Sequence, residues 1–336
     1  MNPRLAGDFS EDELLAALRK VLSGEGPGVL VGPGDDAAVL EQGGGFVVAT
    51  ADMLVEGVHF DRALTSARDL GAKAITVNVS DVAAMAGSPR FALVSLGLPE
   101  DADASWVIEL FGGMRAACDE YALSLVGGDL SSAPQVVISV TVTGEVARGK
   151  AVLRSGARPG DRIVVTGALG AAAGGLLLAR AGHPAATTPW GRELLEAQFR
   201  PVARVGEAAT LAQVGASAMM DLSDGLLLDL SRLCTESAVG ARVQLASVPV
   251  AQGLSELAEI VKADPLELAL SGGEDYELVA TIDPAAVDPA RSKLDERFGV
   301  PLADIGEITE SGFTGVDAEG AERPLEPRGW DHFGAH

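Results

Sequence analysis

Basic, aromatic and cysteine residues are all scarce in this sequence. The 336 residues include 25 Lys and Arg against 48 Asp and Glu, which gives a formal net charge of -23. A surface with this excess of negative charge repels nucleic acids and anionic membranes on average. Aromatic residues make up only 4% of the chain, which argues against a stacking platform for single strands. We therefore expect no nucleic-acid partner and no membrane partner.

The two cysteines, Cys118 and Cys234, lie far apart and form no CxxC pair. They predict neither a zinc site nor a secretory disulfide framework. The first residues lack the basic start and apolar core of a signal peptide. No apolar stretch reaches the ~20 residues that a membrane-spanning helix needs. Together these absences predict a cytoplasmic protein.

Hydrophobic residues make up 47% of the chain, so it can bury a sizeable core, and its length favours two domains. Strand and helix patterns alternate in both halves, which predicts an α/β fold. A turn-rich, locally basic stretch, ARGKAVLRSGARPGD, begins at Ala147. We interpret it as the junction between a first domain at residues 1–147 and a second at residues 148–336.

Hydrophobic periodicity and turn residues predict the main elements. Ser10 and Glu13 have capping-box spacing, and the helix that they begin is expected to run to Ser23, before a glycine-proline loop at residues 24–34. Further helices are predicted at residues 67–86, 104–121, 170–180, 192–199, 202–214 and from 223 through 233. Strands are predicted at residues 46–50, 91–98, 123–126, 135–146, 162–166, 216–220 and 276–282.

Aspartates repeatedly follow apolar runs or glycine turns. They stand in the segments GPGDDAA, VVATAD, NVSD, VGGD and DLSDG. Carboxylates at the ends of core strands converge when a sheet folds, and oxygen ligands of this kind suit Mg²⁺. A single Asp in such a place is more often a helix cap or a turn residue, and we prefer that interpretation for Asp35 and Asp119. Five separate instances favour a metal cluster.

A many-carboxylate magnesium site indicates phosphorylated ligands, because Mg²⁺ is usually shared between carboxylates and substrate phosphates. The paired glycines of VGGDLSS and SGGEDYE allow backbone N–H groups to approach a phosphate. We expect helices to begin at both segments and to direct their positive ends toward the ligand. Two glycines before a helix are also an ordinary turn, so each signal is weak alone.

Conventional nucleotide-binding motifs are absent. The chain has no GxxxxGK[ST] and no HRD or DFG triplet, so it is neither a P-loop enzyme nor a protein kinase by motif. The segment RIVVTGALGAAAGG resembles a dinucleotide-binding turn, but its glycines at 167, 170 and 174 have the wrong spacing. No acidic strand end follows about 20 residues later. We expect close helix–strand packing there instead.

Two residues carry open alternatives from sequence alone. His59 follows Asp52 in ADMLVEGVHF and is either a structural turn histidine or a ligand-binding one. Trp330 either packs a C-terminal tail or stacks on an aromatic ligand.

The motifs taken together resemble the thiamine-monophosphate kinase family. The segments are, in chain order, GPGDDAAVL, ATADMLVEGVHF, KAITVNVSDVAAMAGSP, LVGGDLSS, LRSGARPGD, DLSDGLLLDL, SGGEDYEL and WDHF. This family is similar in fold to aminoimidazole ribonucleotide synthetase. The resemblance implies a two-domain α/β (α+β) fold, an N-terminal domain whose strands pair across a homodimer, and ATP and substrate bound between the domains.

The resemblance also implies roles for individual residues. The implied Mg²⁺ ligands are Asp36, Thr50, Asp52, Asp81, Asp129, Asp221 and Asp224. The implied ATP contacts are Gly128, Asp129, Arg154 and Ser223, and His59, Glu274 and Trp330 are implied on the thiamine phosphate side. One position departs from the family pattern: Ala51 stands where a second hydroxyl residue is usual, so only its backbone carbonyl could bind metal.

The expected reaction is transfer of the γ-phosphate of ATP to thiamine phosphate, giving thiamine diphosphate and ADP. No catalytic base is predicted, because a phosphate monoester has a second pKa of about 6 and is already mostly dianionic at neutral pH. We expect a direct in-line displacement assisted by several Mg²⁺ ions.

Two other functions are alternatives. A selenophosphate synthetase-like or hydrogenase-maturation dehydratase-like enzyme would need a reactive cysteine, and neither the N-terminal glycine loop nor the DHFGAH tail contains one. A non-catalytic acidic metal-binding protein would bind Mg²⁺ without ATP turnover.

Overall fold

The computed structural model describes residues 9–22, 26–43 and 45–332. The predicted end of the first helix at Ser23 and the Phe333 of the closing WDHF motif lie outside the described residues. The helices are α1 (Glu11–Leu22), α2 (Ala67–Ala84), α3 (Ala104–Glu120), α4 (Ala171–Ala181), α5 (Pro189–Phe199), α6 (Val205–Val214), α7 (Leu226–Ser237), α8 (Leu254–Val261), α9 (Pro265–Ser271) and α10 (Val287–Phe298). The strands are β1 (Val29–Val31), β2 (Ala38–Gln42), β3 (Gly45–Val55), β4 (Ser88–Leu98), β5 (Ser124–Ser132), β6 (Val137–Val146), β7 (Arg162–Thr166), β8 (Ala218–Asp221), β9 (Gly240–Gln244), β10 (Leu278–Ile282), β11 (Leu302–Thr309), β12 (Phe313–Val316) and β13 (Glu322–Pro324).

The first six strands form one sheet in the order β1-β2-β3-β6-β4-β5. Neighbouring strands run antiparallel except β4 and β5, which are parallel. The alternation of valine and isoleucine in β6 places Ile138, Val140 and Val142 on the buried face. This period of two fixes which side of the sheet faces the core.

Helices α2 and α3 cover the inner face of this sheet. Two glycines allow them to touch, since a Cβ on Gly71 would lie 1.9 Å from the Leu110 carbonyl oxygen. A Cβ on Gly113 would lie 1.8 Å from the Arg68 carbonyl oxygen. Ser66 caps the start of α2 by accepting from the Asp69 backbone N–H. The helix that carries NVSD is therefore fixed closely against the sheet.

No described helix covers the outer face of the same sheet. Met53 is 54% exposed, Phe91 51% and Leu93 48%. These side chains come from β3 and β4, which flank β6, and they lie on one side of the sheet, which we call the outer sheet face. A patch of this kind on a folded domain is typical of a protein–protein interface.

The remaining strands form a second sheet in the order β13-β12-β9-β11-β7-β10-β8. Its interior strand β7 is buried at Ile163, Val164 and Val165. One apolar cluster packs it against α7 and α9, and another packs it against α6 and α10. Both faces are covered, which explains the continuous apolar runs of these strands.

Helix α2 joins the two sheets. Its last residues, Ala83 and Ala84, lie in one apolar cluster with Met219 of β8 and Leu278 of β10. Fourteen of the eighteen residues of α2 are buried, because the helix packs on the first sheet with one side and on the second domain with the other. The residues at the C-terminal end of α2 thus lie where the domains meet.

The predicted two-domain α/β fold is confirmed, and most predicted elements are present with longer or shifted ends. The first sheet ends at Val146 and the second begins at Arg162, so the exact boundary at residue 147 stays a prediction. In the part of the chain that the structure describes, none of the helices combines the length and apolar composition that crossing a bilayer requires.

The predicted helix starts at the two glycine pairs are wrong. VGGDLSS lies inside strand β5, and SGGEDYE is a loop between α9 and β10. Gly127 and Gly128 have φ values of 154° and 156°, which keep the chain extended in a conformation that favours glycine. A Cβ on Gly128 would lie 1.7 Å from the Val94 carbonyl oxygen. The pair therefore serves close strand pairing and begins no helix.

Candidate active site

Three carboxylates meet between the domains. Asp36, Asp81 and Asp221 each present an oxygen, and these three oxygens all lie within 4.8 Å of one another. Asp36 precedes β2, Asp81 lies in the last turn of α2, and Asp221 ends β8. Of the predicted strand-end aspartates, only Asp221 stands at a strand end, so the convergence comes from three different kinds of element.

Neighbouring side chains orient these carboxylates. The Thr50 hydroxyl donates to Asp81 at 2.6 Å, and the Ser80 hydroxyl donates to Asp221 at 2.5 Å. Arg154 donates to one oxygen of Asp36 through Nη2 at 2.6 Å and through Nε at 3.1 Å. The other oxygen, Oδ2, is buried and has no hydrogen-bond partner. Such an orphaned carboxylate oxygen is an available ligand atom.

The electrostatics of the cluster favour a cation. Burial, followed by repulsion from nearby aspartates, raises the pKa of Asp81 and Asp221 well above the ordinary value. Burial raises the pKa of Asp36 as well, although Arg154 opposes the change. A divalent ion would compensate this concentration of negative charge, and an all-oxygen donor set is the kind that Mg²⁺ prefers. The residues present therefore fit magnesium.

Asp52 and Asp224 lie beside this cluster. Burial, then repulsion from Asp224 and Asp36, raises the pKa of Asp52 to about 6. The Asp52 backbone N–H donates to the Asn78 side chain at 3.0 Å. Asp224 pairs with Arg232, a residue that sequence analysis did not single out. Thus five of the predicted metal-binding aspartates lie in one region.

Asp35 is held by the backbone. Its carboxylate accepts from the Arg154 N–H at 3.2 Å and from the Asp36 N–H at 3.1 Å. These contacts are those of a turn residue and agree with our interpretation of Asp35.

Asp129 and Ala51 lie on the other side of the first sheet. In the register of the sheet, Asp129 of β5 lies opposite Ser95 of β4. The same cross-strand row continues to Ser139 of β6 and Met53 of β3. Three strand spacings separate Asp129 from β3, about 14 Å. Ser95 and Met53 are exposed, whereas the row that contains Asp52 passes through the buried Val140. Ala51 is exposed on the same outer side, so within one chain Asp129 does not join the carboxylate cluster.

A cavity of about 590 Å³ lies next to Gly128 and Asp129. Its lining also includes Phe111 of α3, together with Val94 and Leu130. Phe111 was not predicted as a site residue, because its sequence context is that of an ordinary amphipathic helix. The cavity could accept a flat apolar ring at the edge of the sheet.

The predicted substrate residues lie together near Asp224. The rings of His59 and His332 are 4.8 Å apart, and Trp330 Nε1–H donates to His332 Nδ1 at 3.1 Å. The Trp330 backbone N–H donates to the Asp224 carbonyl at 2.9 Å. The Glu274 backbone N–H donates to the Ser223 carbonyl at 2.7 Å. Sequence analysis missed His332, although the quoted WDHF motif contains it.

The segment that resembles a dinucleotide-binding turn has no free helix start. The Asp275 carboxylate accepts from the Gly170 N–H at 2.7 Å and from the Ala172 N–H at 3.3 Å. It therefore occupies the N-terminus of α4, where a phosphate would bind. A Cβ on Gly175 would lie 2.0 Å from the Leu194 carbonyl oxygen of α5. The glycines allow close packing, as we expected. The contacts are mainly between helices, whereas we expected contacts between a helix and a strand.

Sequence comparison identifies both domains. A model of the family described as AIR synthase related protein, N-terminal domain, matches residues 34–146. The corresponding C-terminal domain model matches residues 158–318. A thiamine-monophosphate kinase from Aquifex aeolicus (strain VF5) is 37% identical over 300 residues, which cover 89% of this chain and 92% of that protein. The chain belongs to the thiamine-monophosphate kinase family. The resemblance drawn from the motifs is thereby confirmed.

Solved structures support the same family assignment. The structure described as "AaThiL complexed with AMPPCP and TMP" is 34% identical, has a TM-score of 0.87, and matches over 99% of this chain and 100% of that one. Hydrogenase maturation protein HypE in complex with ATP has a TM-score of 0.70 at 21% identity, over 93% of this chain and 94% of that one. At that identity, the likeness to HypE shows a shared fold alone.

Proposed function

We propose that this protein transfers the γ-phosphate of ATP to the phosphate group of thiamine phosphate, giving thiamine diphosphate and ADP. The observation that carries the proposal is the match, over nearly the whole chain, to thiamine-monophosphate kinases and to a structure complexed with AMPPCP and TMP. AMPPCP is an ATP analogue that cannot release its γ-phosphate by the usual bond cleavage. ATP is thus the co-substrate, and thiamine phosphate is the acceptor.

Magnesium is the proposed cofactor at the carboxylate cluster. Asp36, Asp81 and Asp221 would hold it, with Asp52 and Asp224 beside them. Thr50 and the Ala51 carbonyl remain proposed ligands. Bound Mg²⁺ would offset the repulsion between two facing phosphates, which is on the order of 4 kcal/mol per unit-charge pair at 4 Å and an effective dielectric of 20. Because Ala51 has no hydroxyl, it could contribute only its backbone oxygen.

The residues proposed to contact ATP are Gly128, Asp129, Arg154 and Ser223. Arg154 is rigidly oriented by Asp36, which suits a guanidinium that must meet a phosphate at a fixed angle. Gly128 borders the cavity of about 590 Å³, which we propose receives the nucleotide base. Phe111, which also lines the cavity, would stack on the base.

A homodimer is the proposed assembly, and it would complete the site. The outer sheet face exposes Met53, Phe91 and Leu93, which a second copy of this chain would bury. Asp129 and Ala51 lie on that same side. Since Asp129 is about 14 Å from β3 within its own chain, we propose that it serves the carboxylate cluster of the other copy.

The transfer is proposed to be a single displacement. The acceptor phosphate is already mostly dianionic at neutral pH, so the chain needs no base to activate it. Its residues bind and align two anions. With a γ-phosphate made chiral by oxygen isotopes, we expect inversion of configuration at phosphorus, measured on the thiamine diphosphate product. Retention, or an isolated phospho-aspartate or phospho-histidine on the pathway, would exclude direct transfer while leaving the kinase function intact.

Trp330 is proposed to stack on a ring of thiamine phosphate. Trp330→Ala should raise the KM for thiamine phosphate by ~5-fold, in line with about 1 kcal/mol for an aromatic contact. The KM for ATP should stay nearly unchanged, because the indole contacts the organic ring alone. Steady-state kinetics with each substrate varied in turn measures both values. An equal rise for both substrates would assign Trp330 to packing of the C-terminal tail.

An ADP-release assay tests the proposed function against its alternatives. Purified protein with ATP and Mg²⁺ should release ADP when thiamine phosphate is added, and not when thiamine or selenide replaces it. ATP consumption with selenide, measured as loss of ATP, would support a selenophosphate synthetase-like enzyme. Mg²⁺ binding without ATP consumption under any of these conditions would support a non-catalytic metal-binding protein.

A further inference from the structure

Lys73 is a buried charged residue to which the proposed reaction gives no role. It lies in α2 and is only 4% exposed. Its Nζ lies 2.7 Å from Oε1 of Glu274 and donates to the backbone carbonyl of Gln198 at 2.9 Å. A lysine is buried in this way only where partners compensate the loss of water. Here those partners include a residue proposed to bind substrate.

Gln198 holds the other oxygen of Glu274. It lies in the last turn of α5, is 3% exposed, and donates through Nε2 to Oε2 of Glu274 at 2.6 Å. A carboxylate oxygen can only accept here, so the amide nitrogen must face it and the amide orientation is fixed. Each carboxylate oxygen of Glu274 thus has one dedicated donor.

The backbone fixes Glu274 as well. Its φ is 69°, which is in the left-handed region that residues other than glycine rarely adopt. Its N–H donates to the Ser223 carbonyl at 2.7 Å. Backbone conformations of this kind persist where the surrounding structure over-determines them, and they cluster at ligand sites.

Lys73 and Glu274 both face the proposed substrate region. The pKa of His59 is lowered by burial first and then by His332; Glu274 raises it and Lys73 lowers it, so both charges are close to the imidazole. Asp81 follows Lys73 by eight residues on α2, which is about 12 Å along the helix axis. One helix therefore carries the metal cluster near its C-terminal end and the lysine that orders Glu274 two turns earlier.

We propose that Lys73 and Gln198 are positioning residues that hold Glu274 as an oriented acceptor for the amino group of the aminopyrimidine ring. This inference rests on the proposed function, because it assigns one end of the thiamine phosphate. The ammonium of Lys73 balances the charge of Glu274. Glu274 therefore acts through a directed hydrogen bond and not as a counter-ion to the thiazolium. Such a site disfavours an analogue that carries an acceptor in place of the donor, because two acceptors then face each other.

The test compares thiamine phosphate with oxythiamine phosphate, in which an oxygen replaces that amino group. Wild-type protein should prefer thiamine phosphate in kcat/KM by ~10²-fold or more. Lys73→Met should raise the KM for thiamine phosphate ~10- to 100-fold, the loss seen when a residue that orients a metal ligand is removed. It should also reduce the preference for thiamine phosphate over oxythiamine phosphate and leave the KM for ATP unchanged. Gln198→Leu should act in the same direction.

Arg204→Met is the matched control. Arg204 forms another buried pair, with Glu277, only three residues beyond Glu274. Its loss should lower the thermal midpoint without changing the preference between the two acceptors. In addition, Lys73→Met combined with Glu274→Gln should be no worse in KM than Glu274→Gln alone, because Lys73 acts through Glu274.

Several outcomes would overturn the inference. One is a preference of Lys73→Met for thiamine phosphate over oxythiamine phosphate that equals the preference of wild type. The others are an equal rise in the KM values for ATP and thiamine phosphate, and additive effects on KM in the Lys73→Met, Glu274→Gln double variant. If Lys73→Met does not fold, Gln198→Leu decides alone. Wild-type protein that releases no ADP with thiamine phosphate would refute the proposed function and this inference together, whereas normal wild-type turnover with an unchanged preference in the variants would refute only the inference.

Discussion

Asp81→Asn should reduce turnover by at least about 10³-fold while leaving the protein folded. The substitution removes a charge from the centre of the carboxylate cluster, where Asp36 and Asp221 present oxygens within 4.8 Å. An asparagine side chain is nearly the same size and can still accept from the Thr50 hydroxyl, so packing is preserved. The measurement is ADP release at saturating ATP, thiamine phosphate and Mg²⁺.

The same substitution, Asp81→Asn, should not lower the stability of the folded protein when no cation is bound. Burial and repulsion from Asp52, Asp221 and Asp36 raise the pKa of Asp81 in the cation-free protein. A carboxyl with a raised pKa binds more protons in the folded state than in the unfolded state, so stability falls as the pH rises above its ordinary value. In chelator at neutral pH, Asp81→Asn should therefore melt no lower than wild type. Added Mg²⁺ should raise the melting temperature of wild type more than that of the variant.

Asp119→Asn is the control for this experiment. Asp119 lies on α3, forms an exposed pair with Arg115, and is none of the proposed ligands. It should keep normal turnover and a normal response to Mg²⁺. Near-normal turnover of Asp81→Asn under saturating Mg²⁺ would show that the cluster is not the metal site of the reaction.

Two inactive variants should restore activity when they share a dimer. Asp129→Asn and Asp81→Asn should each be inactive alone, since each removes one part of every site. If Asp129 serves the partner's cluster, a mixed dimer contains one site with both defects and one site with neither. Random assembly of equal amounts makes half the dimers mixed, so activity should recover to about a quarter of wild type. The measurement is ADP release by co-expressed, differently tagged chains.

The pair Asp81→Asn and Asp221→Asn is the control for complementation. Asp81 and Asp221 meet within one chain, so each chain of that mixed dimer has a defective cluster and no activity should return. Absence of recovery in the first pair, with mixed dimers present on tandem purification, would show that Asp129 acts within its own chain. Normal activity of Asp129→Asn alone would show that Asp129 has no role.

The sequence predicted which residues this site contains better than it predicted how the fold brings them together. Strand β7 has the predicted bounds, because a short apolar run between turn residues leaves few alternatives. Five of the motif aspartates lie near one another and Asp129 does not join them, but Asp36, Asp81 and Asp221 come from a loop, a helix and a strand. Strand ends alone could not predict that convergence, which depends on how α2 packs between the two sheets.

Other features depend on contacts that no local pattern contains. Lys73 and Gln198 are 125 positions apart and meet only because α2 and α5 pack together, and neither stands out within its helix. The paired glycines of β5 have the sequence of a turn, yet neighbouring β4 keeps them extended. The placement of Asp129 on the outer sheet face follows from strand register, which fixes the side of each residue but is itself set by the whole sheet.

Isotope transfer tests the central claim most directly. ATP labelled with ¹⁸O on the γ-phosphate is incubated with thiamine phosphate, Mg²⁺ and the purified protein, and the products are measured by mass spectrometry. The account predicts thiamine diphosphate that carries the label in its terminal phosphate, in an amount equal to the ADP formed. Labelled inorganic phosphate in place of labelled thiamine diphosphate, or ADP formed without any labelled acceptor, would contradict it.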